Sequence, residues 1–221
     1  MDRRIFVQSA AYGLAAHHAI QGQGRVIRPD LARLADDHEL LILSGTVVSL
    51  RSDRRTGIRF PENSGGGLAC LKGIEFANGI IEVDIQGRDL QQQSFVGVVF
   101  HGLDKETHDA IYFRPFNFKA KDPARRIRAV QYVSHPAYPW DKLRKEHPGK
   151  YEQAATPVPD PNGWFHVRIV VASPKVSAFV DGAKDPSLVI SQLSDRKRGL
   201  LGLWAGGSAS ASFSNLTVQP V

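Results

Sequence analysis

The chain has 221 residues, a hydrophobic fraction of 42% and a formal net charge of +6 at neutral pH. That length and apolar content suit one folded domain with a continuous core and exclude a chain disordered throughout. The basic residues are dispersed in Arg51-Ser52-Asp53-Arg54-Arg55, Arg125-Arg126 and Arg196-Lys197-Arg198, beside turn-like sequence and without a recognition-helix pattern or zinc-ligand spacing, so nucleic acid is not an expected partner.

At the N-terminus, Asp2-Arg3-Arg4-Ile5-Phe6-Val7-Gln8 and the alanine-rich stretch from Ser9 to Ala16 resemble a twin-arginine export signal. The leading segment is short, and His17-His18 stand where an Ala-x-Ala cleavage site would fall. A short N-terminal helix on a cytoplasmic protein is therefore the competing reading. The expectation carried forward is an exported protein, periplasmic or extracellular, with residues 1–24 as the signal and residues 25–221 as a single domain. No stretch reaches the ~20 apolar residues of a membrane helix, so no membrane span is expected.

Residues 31–41, with apolar positions at 31, 34, 40 and 41, suit one or two helical turns. Beyond them, period-two alternation predicts strands over residues 46–50, 67–71, 80–85, 95–101, 110–116, 130–134, 164–171, 176–180, 188–190, 200–204 and 212–218. Many short strands without intervening helices argue for antiparallel sheets, hence an all-β two-sheet sandwich. The single cysteine, Cys70, lies in the apolar run Gly67-Leu68-Ala69-Cys70-Leu71 and reads as a buried structural thiol.

Three strands share a predicted core face made of Val96, Val98, Phe100, Ile111, Phe113, Val130 and Tyr132. The opposite face would collect His101, Tyr112, Arg114, Gln131 and His135, a set richer in aromatic and long polar side chains than an ordinary solvated face. The long connection that follows, residues 134–152, carries Tyr138, Trp140 and Tyr151 with two histidines, His135 and His147. Loops of this length are often functional. Tryptophan and tyrosine rings offer apolar faces to sugar CH groups and polar edges to hydroxyls. An equally open reading has Trp140 pinning the loop to the core.

Several segments resemble the concanavalin A-like lectin and glucanase superfamily. Gly79-Ile80-Ile81-Glu82-Val83-Asp84-Ile85 resembles its "G-x-I-E-x-x-I" strand. The segment from Trp164 to Val171, with Lys175-Val176-Ser177-Ala178-Phe179-Val180-Asp181-Gly182, resembles its hairpin ending in an Asp-Gly turn. Gly199-Leu200-Leu201-Gly202-Leu203-Trp204 and Phe213-Ser214-Asn215-Leu216-Thr217-Val218 resemble the closing strands of its laminin G-like and 3-keto-disaccharide-hydrolase-like branches. The block from Tyr112 to Phe118, with residues 130–136 and Tyr138-Pro139-Trp140, is similar to a bacterial group inside that superfamily. The resemblance covers most of residues 46–220. It implies a jelly-roll sandwich, a carbohydrate ligand, and Arg114 and Gln131 as pocket residues.

The expected sugar-binding set is His101, Tyr112, Arg114, Asn117, Gln131, Tyr138, Trp140, Arg144 and Tyr151, with Glu152 and His135 as acid/base candidates. A retaining glycosidase needs two carboxyl groups ~5–5.5 Å apart. Glu82 and Asp84 share a strand face, ~7 Å apart along it from the rise per residue. Their segment lacks the third carboxylate of the family 16 glucanase motif. Binding without catalysis, hydrolysis on the same face and a protein-interaction role all stay open. No cofactor is implied, calcium is left open, and the sequence is silent on oligomeric state.

Overall fold

The computed structural model describes residues 24–52 and 54–221. Residues 1–23, which hold nearly all of the expected export signal, lie outside the described residues. Among the described residues no helix is long and apolar enough to cross a membrane.

Among the described residues, fourteen strands form two antiparallel seven-stranded sheets. The front sheet contains β1 (Leu40–Gly45), β4 (Gly66–Phe76), β6 (Phe95–Gly102), β7 (Asp109–Phe113), β8 (Val130–Ser134), β9 (Glu152–Gln153) and β13 (Gly199–Gly206), in the order β1-β4-β13-β6-β7-β8-β9. The back sheet contains β2 (Val48–Ser52), β3 (Arg55–Phe60), β5 (Gly79–Gln86), β10 (Trp164–Ala172), β11 (Lys175–Val180), β12 (Leu188–Ser191) and β14 (Ala211–Pro220), in the order β12-β11-β10-β5-β14-β3-β2. The expected sandwich is what the chain adopts.

The core lies between the sheets and is set by alternation. Across β6, β7 and β8 the register pairs Val96 with Phe113, Val98 with Ile111, Ile111 with Tyr132 and Phe113 with Val130. These residues are buried together, as the pattern predicts. From the back sheet, Phe165 meets Phe113 edge-on at 5.3 Å, and Phe60 meets Phe213 at 5.8 Å. Fully burying one such ring contributes about 1.5–3 kcal/mol. Cys70 is buried here, and burial pushes its thiol up to about 12, in keeping with a structural role.

The structure departs from the local sequence pattern in four places. The N-terminal helix α1 (Leu31–Asp36) is capped by Asp30, whose Oδ1 accepts from the Arg33 amide at 3.0 Å. It ends before Leu40 and Leu41, which belong to β1. Strand β3 was not predicted, and it pairs with β14. The predicted strand 110–116 stops at Phe113, because Pro115 opens the single-turn helix α2 (Pro115–Phe118). The presumed loop after Ser134 contains α4 (Trp140–Glu146), anchored by the buried Leu143.

Candidate functional site

The outer face of the front sheet carries a cleft of about 510 Å³, within the ~300–1,000 Å³ range of small-molecule sites. Its floor comes from alternate strand positions: Phe95 on β6, Ala110 and Tyr112 on β7, Val133 on β8 and Trp204 on β13. Two glycines let the rings lie down on the sheet. A Cβ on Gly97 would sit 2.5 Å from the Tyr112 Cβ, and one on Gly206 would sit 2.8 Å from the Trp204 indole. The rings pack edge-on, Tyr112 against Trp204 at 5.4 Å and Phe95 against Phe116 at 5.4 Å.

The walls come from the connections that follow β7 and β8. The first holds α2 and α3 (Pro123–Arg126) and brings Arg114, Phe116, Asn117, Arg125 and Arg128 to the cleft. The second holds α4 and brings His135, Trp140 and Arg144. Trp140 is 46% exposed, so it does not anchor its connection to the core. The Arg144 guanidinium lies 4.8 Å from the centre of its ring.

Beneath this lining, Glu152 is only 4% exposed. Register places it opposite Gln131, on the outer face of the sheet. Arg144 forks onto it, donating from Nε to Oε1 at 2.8 Å and from Nη2 to Oε2 at 2.6 Å. Arg114 Nη1 and Arg128 Nε each lie 3.9 Å from its oxygens. Arg114 also donates to the Tyr112 hydroxyl at 2.6 Å and to the Arg128 carbonyl at 2.8 Å. Burial, outweighing the favourable neighbours, pulls the Arg114 guanidinium below its ordinary range, and the hydrogen bonds that Arg144 donates to Glu152 push Arg144 up. Burial also raises the Tyr112 phenol to about 12, so it stays protonated.

Two histidines complete the lining. His108 and His135 lie with ring centres 5.3 Å apart. Burial first, and then the His135 charge, push His108 down to about 4; burial likewise lowers His135. Both are therefore neutral at pH 7. His108 is 6% exposed, and its Nδ1 is buried without a hydrogen-bond partner.

Of the residues singled out from sequence, Tyr112, Arg114, Asn117, His135, Trp140 and Arg144 line the cleft. The others are placed elsewhere. His101 points between the sheets: β6 has one extra residue opposite Leu200–Gly202, and His101 takes a φ of +50° at that bulge, which reverses its face. Its Nε2 meets the Ala77 carbonyl at 2.5 Å and its Nδ1 accepts from Gln192 Nε2 at 2.9 Å. Gln131 lies under the cleft, with Nε2 donating to the Tyr132 and Tyr151 carbonyls at 2.8 and 3.0 Å. Tyr151 is buried against Tyr132, and Tyr138 packs beside the core under Lys142. Glu152 has both oxygens held by Arg144, which leaves it badly placed as a proton donor to a substrate.

Sequence reasoning missed Phe95 as a cleft-facing ring, and also Trp204, Arg125, Arg128 and His108. Phe95 had a signal, since alternation puts it on the Tyr112 face. Trp204 requires knowing that β13 lies beside β6, which local sequence does not reveal.

Glu82 and Asp84 do share a face, but it is the outer face of the back sheet, on the other side of the sandwich from the cleft. Burial would raise the Asp84 carboxyl, yet hydrogen bonds from His166, Arg55 and Asn215 outweigh it and hold it at about 2. Among the described residues no group of three or more His, Cys, Asp or Glu is gathered to hold a metal ion.

Two packed antiparallel sheets with a cleft on one outer face define a jelly-roll sandwich of the concanavalin A-like type. No family model and no curated protein matches the sequence. Solved structures do share the fold. A Bacillus subtilis protein of unknown function with a galectin-like fold superposes with a TM-score of 0.61 at 13% identity, over 89% of this chain and 96% of that one. The carbohydrate-binding module CBM66 from Bacillus subtilis gives 0.56 at 14% identity, over 81% and 95%. The kappa-carrageenase of Pseudoalteromonas carrageenovora, in complex with an oligotetrasaccharide of kappa-carrageenan, gives 0.53 at 11% identity, over 94% and 98%.

Proposed function

We propose that this chain is an exported carbohydrate-binding domain that holds a glycan in the front-sheet cleft. The observation that carries this reading is the lining itself. An exposed Trp140 and the half-buried Trp204 and Phe95 supply ring faces, and Arg114, Asn117, Arg125, Arg128 and Arg144 supply polar groups around them. Carbohydrate-related proteins among the structures of like fold support it. Binding is favoured over hydrolysis because, among the described residues, no carboxylate lines the cleft, whereas a glycosidase uses a pair.

Trp140→Ala tests the site. Affinity for a glycan selected on an array should fall about tenfold or more, in line with loss of a hot-spot aromatic. The unfolding midpoint should stay close to that of the parent, since the ring is half exposed. A collapse of stability without a selective loss of binding would make Trp140 a structural anchor. Released sugar from the parent protein on a mixed panel of glycosides and 3-keto-glycosides would instead make the domain a hydrolase.

Export rests on Arg3-Arg4 and Phe6. Replacing both arginines by lysine should leave the protein in the cytoplasm on cell fractionation, and unchanged distribution would refute a twin-arginine route.

A further inference from the structure

The charge of the cleft narrows its ligand. Four guanidiniums line it, those of Arg114, Arg125, Arg128 and Arg144, and no carboxylate among the described residues lines it with them. Glu152 is the carboxylate held against this group, and it lies beneath the surface, engaged by the Arg144 fork with Arg114 and Arg128 at 3.9 Å. One negative charge thus faces three guanidiniums at close range. Arg125 adds a fourth through Asn117, whose Oδ1 accepts from Arg125 Nε at 3.3 Å and whose Nδ2 donates to the Arg128 carbonyl at 3.3 Å.

Donor capacity remains after the internal contacts are made. The fork of Arg144 uses Nε and Nη2, leaving Nη1. Arg125 uses Nε and Nη2, on Asn117 and on the Phe116 carbonyl at 3.1 Å. Arg128 has its Nε buried without a hydrogen-bond partner. A guanidinium only donates. A neutral sugar brings hydroxyl hydrogens that need acceptors. Among the described residues the side-chain amide oxygens of the lining are only those of Gln91, Gln92 and Asn117, the last already accepting one bond from Arg125, against four guanidiniums that only donate. A group with several acceptor oxygens and a negative charge satisfies such a lining, and planar guanidiniums match it with paired hydrogen bonds.

We propose that the cleft selects an anionic glycan, with the carboxylate or sulfate of one sugar held by Arg128, Arg144 and Arg125 and its ring against the neighbouring aromatic floor. This rests on the carbohydrate-binding reading above and adds the charge class of the ligand. Sulfate and uronate share the relevant chemistry, so the test carries both.

Four oligosaccharides serve as probes on the intact chain, read by calorimetry: an oligouronate, its carboxyl-reduced neutral counterpart, a sulfated oligogalactan and its desulfated form. At least one charged member should bind about tenfold or more tightly than its neutral twin, as expected for charge-assisted hydrogen bonds. Raising salt from ~0.05 to ~0.5 M should weaken that member alone, because only its attraction is screened. Arg128→Gln should remove most of the difference, and the Arg128 side chain, 39% exposed, can change without unfolding the domain. Arg125→Gln is the second variant if Arg128→Gln lowers the unfolding midpoint.

Equal binding of charged and neutral twins would overturn charge selection and leave carbohydrate binding standing. Binding of none of the four, with no neutral glycan bound on the array either, would overturn both. A mononucleotide bound more tightly than any of the four would assign the cleft to a different class of anion and overturn the proposal.

Discussion

Glu152→Gln should lower stability by about 3 kcal/mol, which for a domain of this size corresponds to an unfolding midpoint ~6–12 °C lower. The substitution keeps the shape of the side chain and removes its charge. Three guanidiniums that now share one carboxylate would then repel one another, and Arg114, at 5% exposure, has little access to water. Adding Arg144→Gln to the variant should recover part of the loss, because it removes one of the repelling charges. Thermal unfolding of the two single variants and the double variant measures both effects. A midpoint unchanged in Glu152→Gln would mean that the carboxylate is not the counter-ion of the cluster. If glycan cleavage by the parent were also lost in that variant, Glu152 would be a catalytic acid after all.

Asp109→Ala should cost a similar amount, about 3 kcal/mol or more, for a different reason. Asp109 is fully buried at the edge of the core, where Tyr132 donates to its Oδ1 at 2.7 Å and Gln192 Nε2 and Ser194 Oγ donate to its Oδ2 at 3.1 and 2.5 Å. Arg196 Nη2 lies 3.3 Å away and also donates to Ser134 Oγ at 3.0 Å. Removing the carboxylate leaves several buried donors and a cation without their acceptor. The segment between β12 and β13 is tied to the front sheet through these bonds, so faster amide exchange at residues 192–196 should accompany the loss. Stability within ordinary surface-variant scatter would show that water replaces the carboxylate there.

Much of the architecture was legible because alternation is a local property. The faces of β6, β7 and β8 follow from counting residues, and Tyr112, Arg114 and His135 fell on the cleft side as a result. His101 shows the limit of counting. A single bulge shifts the phase, and nothing in Phe100-His101-Gly102 announces the left-handed backbone that causes it. The helical connections were harder still. Periodicity over a few residues cannot separate a single turn of helix from a strand end, so the reach of Arg125 and Arg128 into the cleft was hidden. Tyr138 and Tyr151 were misplaced for a related reason: an aromatic residue in a long connection packs inward as readily as outward, and sequence alone carries no sign for the choice.

The ring floor of the cleft belongs to the strands, whereas its guanidiniums belong to the two connections after β7 and β8. Exposed positions of those connections can therefore vary while the paired strands keep their register, as long as the buried Phe118, Leu143 and Tyr151 and the pairing of Arg144 with Glu152 are kept. Changing the half-buried Arg125 or the exposed Trp140 alters charge and reach while the aromatic floor stays in register. The domain is thus a natural starting point for directed evolution, in which a library confined to those two segments explores new ligands on an unchanged scaffold.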